Sequence, residues 1–267
     1  MIFAYIWDMK PRLIHLFLTL ALLLGSVAAF GQGKVYTRKV RLGDFPTRTV
    51  KVVAEGNSFL ALALREEVAV HWRISPYEFC TQAEYDALRS SNNYYFLSLA
   101  REGGIAYLIL TKGGRDDEKE SLKKPFEVVR MPIAAADDPS GQELIFLGAF
   151  LDIIQAFVEE AMVSDKTAYG GLSAVNGASL KDRKVYLDPD AADQALPRAE
   201  SGTVVGLAIA PLQIDFNSVC YKMLISADTH ELLYYTKIRY KGPRDARFTD
   251  AEIKSFERRG AILSSGN

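Results

Sequence analysis

Two stretches of the sequence each join a pair of apolar runs through a short polar turn. Residues 93–114 read NYYFLSLAREGGIAYLILTKGG and turn at REGG, and residues 219–240 read VCYKMLISADTHELLYYTKIRY and turn at SADTHE. Apolar runs of strand length on either side of such a turn predict two β-hairpins. In the first hairpin neither run alternates cleanly, which is typical of strands at the centre of a sheet.

The returning run of the second hairpin predicts a strand with two different faces. Successive side chains of a strand point to opposite sides of the sheet. We therefore expect two alternating sets: Leu233, Tyr235 and Lys237 on one face, and Leu232, Tyr234, Thr236 and Ile238 on the other. A core on one side of the sheet would bury only one of these sets.

Helical periodicity marks the segments between the predicted strands. The segment NSFLALALREEVAVHW follows a β-branched run, and it places Leu60, Leu64, Val68 and Trp72 four residues apart. That spacing predicts one apolar stripe along a helix. A more polar helix is predicted at TQAEYDALRSS, and a last one at TDAEIKSFERR.

A long helix is predicted between about residues 141 and 164. It is apolar around most of its circumference, with Asp152, Gln155 and Glu159 as a narrow polar line. Because a freely exposed helix would show a wide polar face, this one is expected to lie buried against a sheet. Strands and helices mixed along the chain predict an α/β or α+β fold, a single layered domain with a mixed β-sheet flanked by helices.

The first residues predict a cleaved secretory signal peptide rather than part of the domain. Lys10 and Arg12 precede the apolar run LIHLFLTLALLLG, and small residues follow in SVAAFGQG. The run is shorter than the roughly 20 residues of a membrane span. We expect a signal peptide over 1–31, with Met9 as an alternative start. The mature domain would then be 32–267, with a C-terminal hairpin-plus-helix subregion at 203–260.

Export predicts a periplasmic or secreted protein. No Cys follows the apolar run, so a lipoprotein is not expected, and no membrane span is expected after cleavage. The formal net charge is −1, which gives no basic stripe for nucleic acid. Cys80 and Cys220 are compatible with a disulfide in an oxidising compartment and equally with two separate buried thiols.

Several apparent catalytic groups have a structural interpretation. Thr81 and Glu84 have the T-x-x-E spacing of a capping box, in which each side chain bonds the backbone amide of the other residue. The same kind of spacing recurs at Ser140 with Glu143 and at Thr249 with Glu252. Glu84 is therefore predicted to start a helix rather than to act in catalysis.

Motifs for metals, cofactors and nucleophiles are absent from the sequence. No phosphate loop, dinucleotide fingerprint or G-x-S-x-G elbow occurs, and DPDAAD lacks the third acidic position, the central Gly and the terminal Glu of an EF-hand. RDDEKE follows a Gly-Gly turn and is interleaved with Lys, which predicts a solvated loop. His71 and His230 are far apart, and nothing in the sequence connects either histidine to a nucleophile or to a cluster of zinc ligands. We therefore predict no cofactor and no metal.

Four segments together resemble uncharacterised exported proteins of Bacteroidetes-type bacteria. They are the GQ junction after the leader, HWRISPYEFCTQAEYDAL, NNYYFLSLA and CYKMLISADTHELLYYTKIRY. The resemblance covers most of the mature chain and implies export and a compact α/β domain. It carries over no functional residue.

Two functions of different classes are consistent with these observations. The first is a non-catalytic binding or structural module of the cell envelope, whose partner is an envelope protein or a small ligand. Its candidate contact residues are Asn57 and Ser58 at a helix N-terminus and four tyrosines, Tyr94, Tyr95, Tyr234 and Tyr235. The alternative is a hydrolase-type enzyme whose site is assembled from loops at the strand ends.

Overall fold

Ten strands form two five-stranded sheets in the part of the chain that the computed structural model describes, which is residues 37–56, 58–114, 125–136, 145–187 and 200–264. The first sheet has the order β2-β1-β3-β4-β5. Its strands are β1 (Thr49–Val53), β2 (Tyr77–Cys80), β3 (Tyr94–Glu102), β4 (Ile105–Lys112) and β5 (Phe126–Ala135). β1 runs parallel to β2 and β3, and the pairs β3–β4 and β4–β5 are antiparallel.

The second sheet has the order β10-β6-β7-β8-β9. Its strands are β6 (Lys184–Tyr186), β7 (Thr203–Ile209), β8 (Val219–Ser226), β9 (Leu232–Arg239) and β10 (Ile262–Ser264). β6 runs parallel to β10 and β7, and the remaining pairs are antiparallel. The two sheets therefore have the same pattern of strand directions: in the order given, the first two neighbouring pairs are parallel and the last two are antiparallel. The predicted α/β class and both hairpins are confirmed, but the strands divide into two mixed sheets rather than one.

Six helices accompany these sheets in the described residues. They are α1 (Arg38–Leu42), α2 (Phe59–His71), α3 (Gln82–Leu88), α4 (Leu147–Val163), α5 (Asp165–Gly170) and α6 (Asp250–Arg258). Helix α4 is the long buried helix that the sequence predicts, and it contacts α1, α2, α5 and β5. None of the described helices has the length and apolar character needed to cross a membrane.

One large hydrophobic core contains side chains from both sheets and from α4. The sheets meet at Tyr107 on β4 and Tyr221 on β8, whose hydroxyl oxygens lie 3.3 Å apart and whose rings pack edge to face. A smaller cluster around Phe256 packs α6 against the other face of the second sheet. The core therefore joins the two sheets into one unit.

The expected alternation along β9 is wrong at one point. Leu232 pairs with Ile225, whereas Tyr234 pairs with Leu224, so Leu233 is an extra residue in the strand. Such a β-bulge reverses the side on which the following residues point. As a result Leu232 and Tyr235 contact the large core, while Leu233 and Tyr234 contact the smaller cluster.

Two of the three predicted capping boxes are confirmed. Thr81 and Glu84 begin α3, and Thr249 and Glu252 begin α6, each with both reciprocal hydrogen bonds. The third pair, at residues 140 and 143, lies outside the described residues. Glu84 therefore caps the start of α3.

The two cysteines are separate buried thiols. Cys80 ends β2 in the first sheet, and Cys220 lies on β8 in the second. Burial raises the pKa of the Cys220 thiol to about 11, and burial also raises the pKa of Cys80. Neither thiol has the lowered pKa of a reactive nucleophile.

A buried ion pair fixes α6 to the second sheet. Lys222 on β8 is 1% exposed, and its ammonium lies 3.0 Å from a carboxylate oxygen of Glu252. Glu252 also accepts hydrogen bonds from Tyr234 and from the amide of Thr249. Burial by itself would raise the pKa of the Glu252 carboxyl, but the hydrogen bonds from Thr249 and Lys222 lower it below the usual value.

We predict that Glu252→Ala lowers the free energy of unfolding by about 3–5 kcal/mol, because it leaves the buried ammonium of Lys222 without a counter-charge. Urea denaturation at neutral pH measures the loss. Glu257→Ala, on the exposed side of the same helix, serves as the control and should change stability by less than about 0.5 kcal/mol. Equal effects of the two variants would contradict the role of the ion pair.

Candidate functional site

Three metal-ligating side chains meet where α2, α4 and the β8–β9 turn of the second sheet come together. His71 is the last residue of α2, Asp152 lies on α4, and His230 lies in the turn between β8 and β9. The Nδ1 atoms of His71 and His230 lie 2.9 Å and 2.7 Å from the same carboxylate oxygen of Asp152. The fold therefore gathers one carboxylate and two imidazoles from three separate elements.

The backbone of the hairpin turn places His230 in this position. His230 has a left-handed φ of 56°, and its amide donates a hydrogen bond of 3.0 Å to the carbonyl of Ser226. A residue other than glycine rarely adopts this conformation, and such positions are often found at functional sites. In this conformation the imidazole of His230 is directed at Asp152 on α4.

Gln155 fixes the end of α2 against α4 and holds Asp152 in place. It is only 4% exposed. Its amide nitrogen donates to the carbonyl of His71, and its oxygen accepts from the backbone amide of Arg73 at 2.7 Å. The second oxygen of Asp152 accepts from Arg73 at 3.0 Å and from Gln155 at 3.3 Å. The polar line predicted on this helix is thus the part of α4 that builds the site.

His71 contacts carboxylates through both ring nitrogens. Its Nε2 lies 3.3 Å from Glu67, one helical turn earlier on α2. Gly148 makes room for this pair, because a Cβ at that position would lie 2.5 Å from Nε2 of His71 and 2.7 Å from the carboxylate of Glu67. A neutral imidazole donates from one nitrogen only. Both contacts are satisfied at once by the imidazolium, or by a cation that takes Nδ1.

The electrostatics of the site favour a positive charge. Glu67 and Asp152 contribute two carboxylates against the single guanidinium of Arg73. Burial by itself would raise the pKa of the Asp152 carboxyl, but the hydrogen bonds with His230 and His71 lower it below the usual value. Asp152 is therefore held as a carboxylate in the folded protein.

The donor set suits a divalent transition metal. One ligand atom from each of His71, Asp152 and His230 lies within 4.8 Å of the others. Imidazole nitrogen with carboxylate oxygen is a ligand combination that Zn²⁺ and Fe²⁺ use in proteins. In the described residues these are the side chains that converge in this way.

A cavity of about 400 Å³ lies beside the cluster. Its walls come from α4, α5, the 3₁₀ turn Gly171–Val175 and the start of β9, and they are mostly apolar. Ala156 lines it one turn after Asp152 on α4, and Glu231 lines it directly after His230. The three side chains of the cluster do not themselves line the cavity, but Ala156 and Glu231, close to them along the chain, do. The cavity could accept a small molecule near the cluster.

The residues predicted from the sequence as contacts do not form one site. Asn57 lies outside the described residues, and Ser58 caps α2 by accepting a hydrogen bond from the amide of Ala61. Tyr95 is fully buried, and its hydroxyl donates to Asp44, so it belongs to the core.

The remaining predicted tyrosines are divided between the sheets. Tyr94 is half-buried on the first sheet, beside Lys51. Tyr234 and Tyr235 are half-buried on opposite faces of β9 in the second sheet, and Tyr234 donates to Glu252. The described tyrosines therefore do not form a shared exposed face.

The histidine cluster escaped sequence analysis because its members are far apart in the chain. Asp152 is 81 residues from His71 and 78 residues from His230. The one local signal was the polar line on the otherwise apolar α4, which contained both Asp152 and Gln155. Sequence alone does not say which distant side chains such a line meets.

We predict that Gly148→Ala disturbs the cluster, because the added methyl group would overlap His71 and Glu67. Overpacking of this kind costs about 1–3 kcal/mol, against a gain of up to about 1 kcal/mol in helix propensity. Chemical denaturation should therefore show a net loss. In a His71→Ala background the same change should become neutral or stabilising, and a loss there would refute the proposed overlap.

Acid titration gives a second prediction for this site. Because the folded pKa of Asp152 lies below its ordinary value of 3.8, its stabilisation is fully present above that pH and is lost as the pH falls through the folded pKa. Asp152→Asn should lower stability by about 1–3 kcal/mol at neutral pH. The difference in the free energy of unfolding between Asp152→Asn and the wild type should become smaller in strong acid. Asp182→Asn on an exposed turn is the control, and a difference that stays constant with pH would contradict the prediction.

Comparisons with known proteins leave the function to be argued from this geometry. No known protein family, curated protein or solved structure matches the chain.

Proposed function

We propose that the protein is an exported binding module of the cell envelope that holds a divalent transition-metal ion between His71, Asp152 and His230. The observation that carries the proposal is the convergence of two Nδ1 atoms on one carboxylate oxygen from three separate elements. The leader-like residues 1–31 support the exported location.

The surroundings of the three residues support the assignment as well. A metal-bound histidine commonly donates its other ring N–H to a carboxylate, and the ligating carboxylate is commonly held by hydrogen bonds. Glu67 is placed to accept from His71, while Arg73 and Gln155 donate to Asp152. The first two ligands therefore have the outer partners that a metal centre needs.

Metal binding would require the three ligand atoms, which lie within 4.8 Å of one another, to adjust to the spacing of an ion's coordination sphere. Ligand atoms around tetrahedral Zn²⁺, at bond lengths of about 2.0–2.1 Å, lie about 3.3 Å from each other. The present Nδ1 to oxygen distances are 2.9 Å and 2.7 Å, so each would widen by about half an ångström. The ion would replace the protons that now bridge these atoms, which makes binding weaker in acid.

The number of ligands indicates what the ion would do. Structural zinc sites are closed by four protein ligands, whereas three protein ligands leave a position for water or a bound molecule. The neighbouring cavity of about 400 Å³ offers space for the apolar part of such a molecule. We therefore favour a small ligand, held partly by the metal, as the partner of this module.

The open position also favours a second candidate, a metal-dependent hydrolase. Zinc can lower the pKa of a bound water to about 7 and so generate a nucleophile at neutral pH. Glu231, which follows His230 in the chain, lines the cavity and pairs with Arg183 at 3.2 Å, would be the candidate general base. Loss of turnover in Glu231→Gln with metal affinity retained would distinguish the enzyme from the binding module.

Titration with Co²⁺ and Zn²⁺ tests the metal site directly. Either ion at a hundred times its dissociation constant should raise the melting temperature by about 5–10 °C. Co²⁺ should also give the visible absorption of a tetrahedral or five-coordinate centre. His71→Ala, His230→Ala and Asp152→Ala should each abolish both signals, while Glu67→Gln should weaken binding by about 10- to 100-fold.

The matched control is Asp228→Asn, which removes a carboxylate from the same turn but outside the cluster. It should leave Co²⁺ binding unchanged. A chain that shows neither a thermal shift nor an absorption band, or a band that survives all three cluster variants, would disprove the metal site.

A further inference from the structure

The loop that joins β7 to β8 exposes three large apolar side chains. Leu212, Ile214 and Phe216 are 60%, 49% and 80% exposed, and they occupy alternate positions within five residues. Single exposed apolar residues are normal on protein surfaces, but three in one loop form a contiguous apolar tip. We call Leu212, Ile214 and Phe216 the apolar tip.

The loop that carries the apolar tip is anchored in the fold. Pro211 contacts Gly104 in the β3–β4 turn so closely that a Cβ on that glycine would lie 2.6 Å from the proline Cβ. Asp215 accepts hydrogen bonds from the amide of Asn217 at 2.7 Å and from the hydroxyl of Ser218 at 3.1 Å. The one acidic group within the loop is therefore bound to the loop itself.

Four exposed basic residues lie at the end of β9 and in the segment after it, where the amide of Tyr240 donates to the carbonyl of Ser218 at the end of the loop. Arg239 ends β9, and Lys241, Arg244 and Arg247 follow it; together they are called the basic flank. Arg239 pairs in register with Val219, the first residue after the loop, and its guanidinium stacks on Phe216 at 4.4 Å. Among the described ion pairs none involves a residue of the basic flank.

The acidic residue inside the basic flank does not neutralise it. Asp245 accepts a hydrogen bond from the amide of Lys241 at 2.7 Å and forms no ion pair with its neighbours in the described residues. With the exposed Asp215 of the loop counted as well, four cationic side chains against two carboxylates leave this edge positive by two charges. That charge stands apart from the near-neutral balance of the whole chain, which is −1.

We infer that this edge of the second sheet docks on the surface of an anionic phospholipid bilayer. Apolar side chains that enter the interface, surrounded by Lys and Arg that meet lipid phosphates, form the arrangement that peripheral membrane proteins use. The positive edge selects an anionic surface. A neutral protein surface would satisfy the apolar tip alone, whereas the four cations, which form no ion pair within the described part of the chain, call for an anionic one.

Vesicle sedimentation of the chain from residue 32 onward tests the docking. The protein should bind vesicles that contain phosphatidylglycerol and should stay unbound with pure phosphatidylcholine. Binding should fall when salt is raised to about 0.5 M, because exposed charges are then screened. Equal binding to both vesicle types, or binding to neither, would overturn the inference, and the second result would assign the apolar tip to a protein partner.

Two sets of variants separate the apolar and basic contributions. Leu212→Ser with Phe216→Ser should weaken binding by more than about tenfold. Lys241→Gln with Arg244→Gln should weaken it by roughly 25-fold, at about fivefold for each basic residue near an anionic surface. All four side chains are exposed, so the melting temperature should stay unchanged.

Exposed side chains of the same types elsewhere on the chain provide controls. Phe59→Ser removes a phenylalanine that is 72% exposed on α2, and Lys254→Gln with Arg258→Gln removes two exposed cations from α6. Both should bind anionic vesicles as the wild type does. If these controls lose as much binding as the test variants, docking is not localised to the apolar tip and the inference fails. His71→Ala should also retain vesicle binding, since the metal site is a separate feature.

Discussion

The polar line of α4 is the constraint on which the rest of the structure depends. Helix α4 is apolar on its remaining faces and buries them against β5 and the neighbouring helices. Gln155 and Asp152 are therefore held at a fixed depth, and they must find partners there, because a buried polar group without a hydrogen bond costs about 1–3 kcal/mol. The end of α2 and the turn of the β8–β9 hairpin supply those partners. One line of side chains thus attaches the end of α2 and the β8–β9 hairpin of the second sheet to the same helix.

The same bonds would let the proposed metal site exist with and without an ion. Without an ion, the imidazoles of His71 and His230 satisfy Asp152 by hydrogen bonds and keep the hairpin turn closed on α4. A cation that enters would take over those contacts with little movement of the backbone, because α2 and α4 are already fixed by Gln155. The free energy needed to bring the ligands together is then supplied when the chain folds, so it does not reduce the affinity for the ion.

The parts of the fold governed by local rules could be predicted from the sequence. Thr81 and Thr249 cap their helices through hydrogen bonds to a residue three positions later, a spacing that is visible in the sequence. The two hairpins follow from apolar runs on either side of a turn. The bulge at Leu233 could not be predicted, because it depends on how the second sheet meets the core on each face. The histidine cluster was missed for a related reason: it exists only after three elements, some 80 residues apart, have docked.

The β8–β9 hairpin places the two proposed sites at opposite ends of one rigid element. The turn at its closed end carries His230, while its open end joins the apolar tip on one side and the basic flank on the other. Strand β8 has eight residues, which at about 3.3 Å each separate the ends by roughly 25 Å. A protein docked through the open end would hold its metal centre at that height above the bilayer, with the cavity beside it. Small ligands near an envelope membrane could reach such a centre without entering the bilayer, so the spacing connects the proposed binding function to the proposed location.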